Sequence, residues 1–387
     1  MINKNAKTKH LVLGILVVLL IVLILVLIFV PGNQTGKTIK NSEPIKIGVI
    51  DPLSGTSGYL GEYIRNALVI SAEDINSKGG INGRPLQLIF EDSQGDTKTA
   101  ITNYNKLTQI DQTKFVLTTL SHVVLAIAPL AEQDRIINFA VAAAAPSITN
   151  AGDYTFRHNV LPQEETDIMA HFLINKGIKK IIVIYVNTES GVSYSESFKK
   201  QYESLGGQII LQETYTKGSS DFRTILAKIK ELNIKDVFGM CYPDELGTLI
   251  KQSKEFGLNL NFYSGYAAES PKLIEIAGQN ANGLLVTTFF NLDSPDTLFK
   301  RYKQKYIKSY NQEPELYGSV AYDNLRILAE AMSHCKDPKD TECVKQELYK
   351  IKDFPGITGS ITIDSNGDTR KEVIIKTVKD GKFVLLN

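Results

Sequence analysis

The sequence predicts an α/β protein built from two mostly parallel sheets, each covered by helices on both sides. Two observations support this class. Short apolar strand signals alternate with amphipathic helix signals along most of the chain. The alternation pauses near residue 158 and then begins again. With 387 residues, 43% of them apolar, the chain is long enough for two domains of this kind.

The first half contains two strand–helix–strand units. Apolar runs predict strands at 45–51, 85–92, 115–120 and 136–142. Helical periodicity lies between them at 63–77, 99–109 and 125–134. The glycines of "KGGING" (78–83) are expected to end the first helix and turn the chain into the next strand.

The second half repeats the pattern. Strands are predicted at 179–186, 208–215, 235–242 and 261–266, with helices at 167–177, 194–207, 221–233 and 245–257. The stretch from 298 to 352 is mainly helical. Residues 359–386 predict a closing antiparallel ribbon with turns at Asn366-Gly367 and Asp380-Gly381.

The N-terminus carries an apolar run at 11–30, about long enough to span the roughly 30 Å of a bilayer as a helix. Lys4, Lys7 and Lys9 precede it, so residues 1–10 are expected in the cytoplasm and the folded part outside. Residues 31–44 form a polar linker. Because the run is long and no small-x-small cleavage site follows it, we interpret it as an uncleaved anchor; a cleaved signal peptide is the alternative.

The charge balance and the cysteines of the chain limit its possible partners and its cellular compartment. Lysine and arginine (43) balance aspartate and glutamate (42), and basic residues are scattered, so no nucleic-acid partner is expected. Cys335 and Cys343 flank a turn-forming loop and predict a disulfide in an oxidising compartment, the alternative being two free thiols. Cys241 has no expected partner.

Catalytic and metal motifs are missing from the sequence. None of the five histidines has a ligand-type spacing with another histidine, a cysteine or a carboxylate. There is no G-x-S-x-G, no P-loop and no G-x-G-x-x-G. We therefore expect a binding protein without metal or cofactor, and not an enzyme.

A run of four alanines lies in "FAVAAAAPSIT" (139–149), where a strand ends before the next element. In open parallel sheets, ligands bind beyond the carboxyl ends of the strands. Small side chains at this point would let a ligand reach backbone N–H groups. Tight packing at the strand end would also require small side chains, and the sequence does not choose between these two interpretations.

A wider pattern covers residue 45 to the C-terminus. It includes "IGVIDPLSGTSGYLGEYIRNALVISAEDINSKGGINGRPLQLIFEDSQGD", "YTFRHNVLP", "LIKQSKEFGLN" and "DFPGITGSITIDSNGD". These segments resemble, in order, those of the type I periplasmic binding proteins of the branched-chain amino-acid (leucine/isoleucine/valine) transport family. Paired cysteines near the end, such as Cys335 and Cys343, are also seen in that family.

The resemblance implies two lobes joined by three crossover strands that close on a small ligand. Lobe 1 would comprise 45–158 and 291–357, and lobe 2 would comprise 159–290 and 358–387. The crossovers would lie near "FRHNV", "LVTTFF" and "GITGS". Such proteins deliver ligand to ABC permease subunits with a cytoplasmic ATPase. The alternative is a ligand-sensing receptor ectodomain acting through a membrane partner.

The family's carboxylate contacts map onto the first lobe. Its serine matches Ser121, and its "GAT" loop matches Ala142, Ala143 and Ala144. Because the threonine is replaced by Ala144, the ligand carboxylate is expected to rely on the Ser121 hydroxyl and on backbone N–H groups around Leu120, Ala142 and Ala144.

The second lobe departs further from the family. The family's ligand tyrosine falls on Ser190, and the acid that binds the ligand ammonium falls on Tyr266. Glu269, Asp244 or Glu189 are candidates to replace that acid, each of which could instead be a solvated loop charge. Alternatively, Tyr59, Tyr242 and Tyr266 line the cleft and stack on a flat acid, or are packing residues. The expected ligand is a branched-chain amino acid or a related small organic acid or amide.

Overall fold

The computed structural model describes residues 43–141 and 143–386. These residues belong to one compact unit spanning Asn41–Asn387. Within the described part, no helix is long and apolar enough to cross a membrane. The predicted anchor at 11–30, the tail before it and all but the last two residues of the linker lie outside the described residues.

The first lobe is built on a five-stranded parallel sheet with the order β2-β1-β3-β4-β5. Its strands are β1 (Ile45–Asp51), β2 (Leu86–Asp92), β3 (Phe115–Thr119), β4 (Ile137–Val141) and β5 (Thr155–Arg157). Every residue of β3 and β4 is buried. This is the reason that both strands are mainly apolar, as the sequence predicted, and their buried polar side chains Thr118 and Asn138 bond to each other.

The second lobe is built on a seven-stranded sheet with the order β7-β6-β8-β9-β10-β14-β15. The parallel strands are β6 (Lys180–Val186), β7 (Gln208–Tyr215), β8 (Asp236–Met240), β9 (Asn261–Ser264) and β10 (Leu285–Thr288). The antiparallel hairpin of β14 (Ile374–Lys379) and β15 (Lys382–Leu385) completes it. Asp380 and Gly381 both have positive φ, 50° and 73°, which suits the predicted hairpin turn.

Helices cover both sheets. In chain order they are α1 (Gly58–Ser77), α2 (Thr97–Asn105), α3 (Ser121–Asp134), α4 (Pro162–Asn175), α5 (Glu189–Ser204), α6 (Arg223–Leu232), α7 (Pro243–Glu255), α8 (Pro271–Ala277), α9 (Thr297–Tyr310), α10 (Leu316–Ser333) and α11 (Thr341–Leu348). The side chains of Asp96, Asp296 and Asp340 accept N–H bonds from the first turns of α2, α9 and α11. Polar capping therefore sets where these helices begin.

A small antiparallel sheet of β11 (Phe354–Gly356), β12 (Gly359–Ile363) and β13 (Thr369–Arg370) packs on the first lobe. The buried carboxylate of Asp323 in α10 accepts the N–H groups of Ile357 and Thr358, both at 2.9 Å. The predicted ribbon at 359–386 is therefore wrong as one unit. Its first part pairs within this sheet and is bound to the first lobe through Asp368 and Arg157, while Asp323 binds the two residues Ile357 and Thr358 just before it. Its second part belongs to the sheet of the second lobe.

Three segments pass between the lobes. The first two run through residues 158–161 and 289–296, and the third through 371–373. The third passage thus lies downstream of the position near 356–360 that the resemblance implied. The strand pattern in the sequence does not reveal where the chain crosses between the lobes, because that position depends on which lobe each strand contacts.

The predicted disulfide between Cys335 and Cys343 is present, with the two Cα atoms 6.0 Å apart. It closes the turn between α10 and α11. Cys241 is a buried free thiol.

Candidate functional site

A cavity of about 850 Å³ opens between the two lobes. It lies at the carboxyl ends of the parallel strands: Ser121 follows β3, Ala144 follows β4, Thr188 follows β6, Tyr242 follows β8 and Tyr266 follows β9. This is the position at which open α/β sheets bind ligands. The volume is within the range of small-molecule sites, about 300 to 1,000 Å³.

Two glycines allow the helices beside the cavity to approach the strand ends. A Cβ atom on Gly61 in α1 would lie 2.2 Å from the carbonyl oxygen of Pro52. A Cβ atom on Gly191 in α5 would lie 2.1 Å from the carbonyl oxygen of Val186. Any larger residue would push the beginning of the helix away from the strand that precedes it.

Ser121 organises the wall of the first lobe. Its Oγ accepts hydrogen bonds from the N–H groups of Ala144 and Ala145 at 3.0 and 3.1 Å. The hydroxyl proton is therefore free to be donated toward the cavity, at the N-terminus of α3. Leu120 precedes it with a φ of 76°, a conformation that is unusual for leucine and that turns the chain from β3 into α3.

The alanine loop is buried and also reaches the cavity. Ala143 and Ala145 are 0% exposed, and Ala144 lines the cavity at 7% exposed. Tight packing therefore accounts for Ala143 and Ala145, while Ala144 reaches the cavity and its contact with a ligand stays a prediction. The expectation of a free N–H at Ala144 needs correction, because Ser121 accepts it. Ala142 lies outside the described residues.

A buried arginine holds this loop from behind. Arg157 is 0% exposed and donates from Nη1 to the carbonyl oxygen of Ala145 at 2.7 Å. Its other nitrogens bind Asp368 Oδ1 at 2.8 Å and Thr149 Oγ1 at 2.7 Å. The paired charges and the loop thus form one connected network beneath the cavity.

Ser190 and Tyr242 both lie in the wall of the second lobe. Tyr242 precedes α7, and burial raises the pKa of its hydroxyl despite contacts with Ser190 and Thr188. The ring also faces Lys217, whose Nζ lies 5.1 Å from the ring centroid. Tyr242 therefore presents a neutral aromatic surface to the cavity, and its contact with a ligand stays a prediction.

Tyr266 lines the cavity with its ring but uses its polar groups elsewhere. Its hydroxyl accepts a hydrogen bond from Asn159 Nδ2, and its N–H donates to Glu165 Oε1 at 3.1 Å. Glu165 also accepts from the Tyr194 hydroxyl, and burial raises the pKa of Glu165 to about 8. At neutral pH this carboxyl group is mostly protonated, so neither it nor Tyr266 supplies an anion to the cavity.

The three candidate acids have different positions. Glu269 lies outside the cavity lining and forms a buried ion pair with Lys376, Oε1 to Nζ 2.5 Å, so it is not available as a ligand contact. Asp244 and Glu189 both line the cavity. Glu189 accepts a hydrogen bond from the Ser147 hydroxyl of the first lobe, which links the two lobes at the cavity.

Sequence reasoning missed Glu245. It lines the cavity, is 4% exposed, and its Oε1 accepts the N–H of Gly218 at 2.8 Å. The available signal was the acidic pair that follows Pro243 at the start of α7, just beyond the carboxyl end of β8. Only the tertiary structure distinguishes Asp244, which is exposed, from Glu245, which is buried.

Tyr59 and Tyr317 complete the aromatic lining from the first lobe. Burial, and next the negative charge of Asp244, raise the pKa of the Tyr59 hydroxyl. Tyr317, which the sequence did not single out, packs against Tyr266 with the ring centroids 6.1 Å apart. Across the described residues, no group of three or more histidine, cysteine, aspartate or glutamate side chains is placed to hold a metal ion.

Comparison with known proteins agrees with this geometry. The family model described as periplasmic binding protein matches residues 44–382. A Leu/Ile/Val-binding protein homolog of Brucella abortus is 26% identical over 349 residues, which cover 88% of this chain and 92% of that protein.

Solved structures give the same result. A leucine-binding protein of Thermotoga maritima has a TM-score of 0.83 and 25% identity, covering 89% of this chain and 98% of that one. A branched-chain amino-acid transporter substrate-binding protein of Streptococcus pneumoniae, in complex with isoleucine, has a TM-score of 0.82 and 23% identity, covering 88% and 97%. The first two of these proteins are named as binding proteins and the third as the substrate-binding protein of a transporter; none of the three names is that of an enzyme. The family match over residues 44–382, together with the two-lobed fold and the cavity between the lobes, shows that the chain belongs to the periplasmic binding protein family.

Proposed function

We propose that this protein captures a small carboxylate-bearing solute in the cavity between its lobes and delivers it to an ABC-type importer. The observation that carries the proposal is the wall of the first lobe. There the Ser121 hydroxyl, the alanine loop and the N-terminus of α3 meet at the cavity. A hydroxyl donor at a helix N-terminus favours an anionic group such as a carboxylate.

The ligand class follows from the lining and from the similar proteins. The rings of Tyr59, Tyr242, Tyr266 and Tyr317 offer apolar surface for an aliphatic or aromatic body. Similar proteins are named for leucine, isoleucine and valine, and one was solved with isoleucine. The proposed ligand is therefore a branched-chain amino acid or a related small organic acid or amide.

We further propose that residues 11–30 anchor the protein in the membrane, with residues 1–10 in the cytoplasm and the binding unit outside the cell membrane. The disulfide between Cys335 and Cys343 supports an extracytoplasmic location, since such bonds persist in oxidising compartments. The expected partners are ABC permease subunits with a cytoplasmic ATPase. Protease added to intact cells or spheroplasts should digest the binding unit, and salt or alkaline washing should leave the protein in the membrane fraction.

The binding function is tested by calorimetric unfolding of the full chain, purified in detergent because of its apolar N-terminal run. The panel contains amino acids, short organic acids, aromatic acids and small amides. A ligand at one hundred times its dissociation constant adds about 2.7 kcal/mol of stability. A shift with at least one carboxylate, and its recovery unchanged after release, are the expected results. The proposal is rejected if no compound of the panel shifts the transition, or if the captured compound is converted.

A further inference from the structure

The ammonium group of Lys371 lies at the hinge, by which we mean the three segments that pass between the lobes. Lys371 begins the third of these segments, directly after β13. Its Nζ donates to the carbonyl oxygen of Thr358 at 2.8 Å and also to the Thr358 hydroxyl, on the side of the first lobe. The same Nζ lies 5.2 Å from the ring centroid of Phe289, which follows β10 of the second lobe. One ammonium group therefore contacts both lobes.

The partner of Lys371 in the first lobe is held firmly. The hydroxyl and the N–H of Thr358 both donate to Asp323 Oδ2, at 2.8 and 2.9 Å. The hydroxyl also lies 3.4 Å from Nε2 of His158, the first residue of the first hinge segment. Nδ1 of His158 bonds to Asn324 Oδ1 of α10 at 2.7 Å. Thr358 is therefore part of a connected polar network and is oriented in advance for the ammonium.

The charges around Lys371 come from α10 and from the first hinge segment. Burial lowers the pKa of Lys371 to about 7, and the negative charge of Asp323 acts against this shift. Asp323 is itself paired with Arg326 at 3.2 Å. Burial, and next the charge of Lys371, hold the pKa of His158 well below its usual range, so this imidazole is neutral at pH 7. Lys371 therefore changes charge close to neutral pH.

The ring of Phe289 connects the hinge to the cavity. It packs against the ring of Tyr266 with the centroids 5.5 Å apart, and Tyr266 lines the cavity. The Tyr266 hydroxyl in turn accepts a hydrogen bond from Asn159 of the first hinge segment. Lys371 lies outside the cavity lining, so its influence on a ligand is indirect and passes through these contacts.

The lobes touch across the cavity in the structure in which Lys371 makes these contacts. The Ser147 hydroxyl of the first lobe donates to Glu189 of the second. The rings of Tyr317 and Tyr266, one from each lobe, lie with their centroids 6.1 Å apart. The contacts of Lys371 thus belong to an arrangement in which the lobes are close together. Their loss would favour arrangements in which the lobes are further apart.

We propose that Lys371 is a positioning residue for ligand binding, whose ammonium group stabilises the closed arrangement of the lobes. This inference rests on the proposed function and adds a residue that regulates the same site. When the closed arrangement is less populated, the apparent affinity for a ligand falls by the same factor.

The experiment measures the distance between the lobes in the absence of ligand. Nitroxide labels are attached at Glu62→Cys in α1 and Lys251→Cys in α7, two exposed positions outside the cavity lining. The native cysteines do not react, because Cys241 is buried and the other two are bonded to each other. Double electron–electron resonance on the full chain in detergent then gives the distribution of distances between the lobes.

Lys371→Met removes the ammonium group and keeps an unbranched side chain. At about pH 6 it should lower the population at short distance about threefold or more. Isothermal titration with leucine, isoleucine and benzoate should show a matching loss of affinity for each compound that binds. At about pH 8.5 the unmodified lysine is mostly neutral, so the difference between the two proteins should be smaller.

Two further variants complete the design. Phe289→Leu removes the ring that faces the ammonium group and should act in the same direction, which keeps the test valid if Lys371→Met does not fold. Lys352→Met is the matched control, because this lysine is exposed in the first lobe, outside both the hinge and the cavity lining. It should change neither the distances nor the affinities.

Several outcomes overturn the inference. One is an unchanged distribution of distances at about pH 6 in both Lys371→Met and Phe289→Leu. Others are an equal change in Lys352→Met, or an effect of Lys371→Met that is as large at about pH 8.5 as at about pH 6. If compounds bind and the distances do not respond, only this inference fails. If the distances respond and no compound of the panel binds, the proposed function fails, while the role of Lys371 at the hinge stands.

Discussion

Replacing Ser121 with alanine tests the wall of the first lobe most directly. Its Oγ accepts two backbone hydrogen bonds, from Ala144 at 3.0 Å and Ala145 at 3.1 Å. At about 0.5 to 1.5 kcal/mol each, their loss should lower the free energy of unfolding of the ligand-free protein by about 1 to 3 kcal/mol. Because Ala144 lines the cavity, water can reach its released N–H, whereas Ala145 is fully buried and its N–H would stay without a partner.

The same substitution should weaken ligand binding. A hydroxyl that donates to a carboxylate contributes about 1 to 3 kcal/mol, which corresponds to roughly five- to 150-fold in Kd. The N–H of Ala144, once released, can donate to the ligand itself and so recover part of this loss. Stability and affinity should therefore both fall in Ser121→Ala.

Differential scanning calorimetry and isothermal titration with the tightest ligand of the panel measure the two effects. The chain has no tryptophan, so calorimetry is preferable to intrinsic tryptophan fluorescence. For a unit of this size, Tm should fall by about 1 to 2 °C per kcal/mol. Ser204→Ala is the matched control, because this serine is exposed at the end of α5 and its hydroxyl donates to the nearby carbonyl of Gln201. If Ser121→Ala matches Ser204→Ala in both measurements, the reasoning is refuted.

Three further predictions concern stability. Burial raises the pKa of Asp51 to about 7, and neither carboxylate oxygen has a hydrogen-bond partner among the described residues. Because the folded state favours the protonated form of Asp51, the free energy of unfolding should fall as pH rises from about 4 through 7. Asp51→Asn should therefore stabilise the protein at pH 8 by about 3 kcal/mol more than at pH 5. An equal effect at both pH values in denaturant titrations would contradict this. Arg157→Met leaves Asp368 charged and unpaired in the interior and should cost about 3 to 5 kcal/mol, and a double variant that also replaces Asp368 with leucine should recover part of that cost in the same titrations. Reduction of the bond between Cys335 and Cys343, which are eight residues apart, should lower stability by about 2 to 3 kcal/mol; a reductant should shift the Tm of the unmodified protein and leave that of Cys335→Ser/Cys343→Ser unchanged.

The sequence alone determined the fold class, the family resemblance and most of the elements. Buried parallel strands such as β3 and β4 are apolar on both faces, so their signal is local and strong. Helix starts capped by aspartate and glycine turns after α1 are likewise local features, written within a few residues of one another. The position of the site could also be predicted from the sequence, because the carboxyl ends of parallel strands lie at one edge of the sheet and the strands themselves were recognisable.

Only the tertiary structure shows which residues at that edge of the sheet line the cavity and which pair with other parts of the protein. The lobe to which residues 359–370 belong depends on Asp323 and Arg157, which are distant in sequence from their partners. Glu269 and Glu245 are both glutamates beside a strand end, yet one is paired with Lys376 and the other lines the cavity. A charged side chain is available to a ligand only when no other side chain of the protein already pairs with it. Whether such a partner is near depends on contacts between residues that are far apart in the chain.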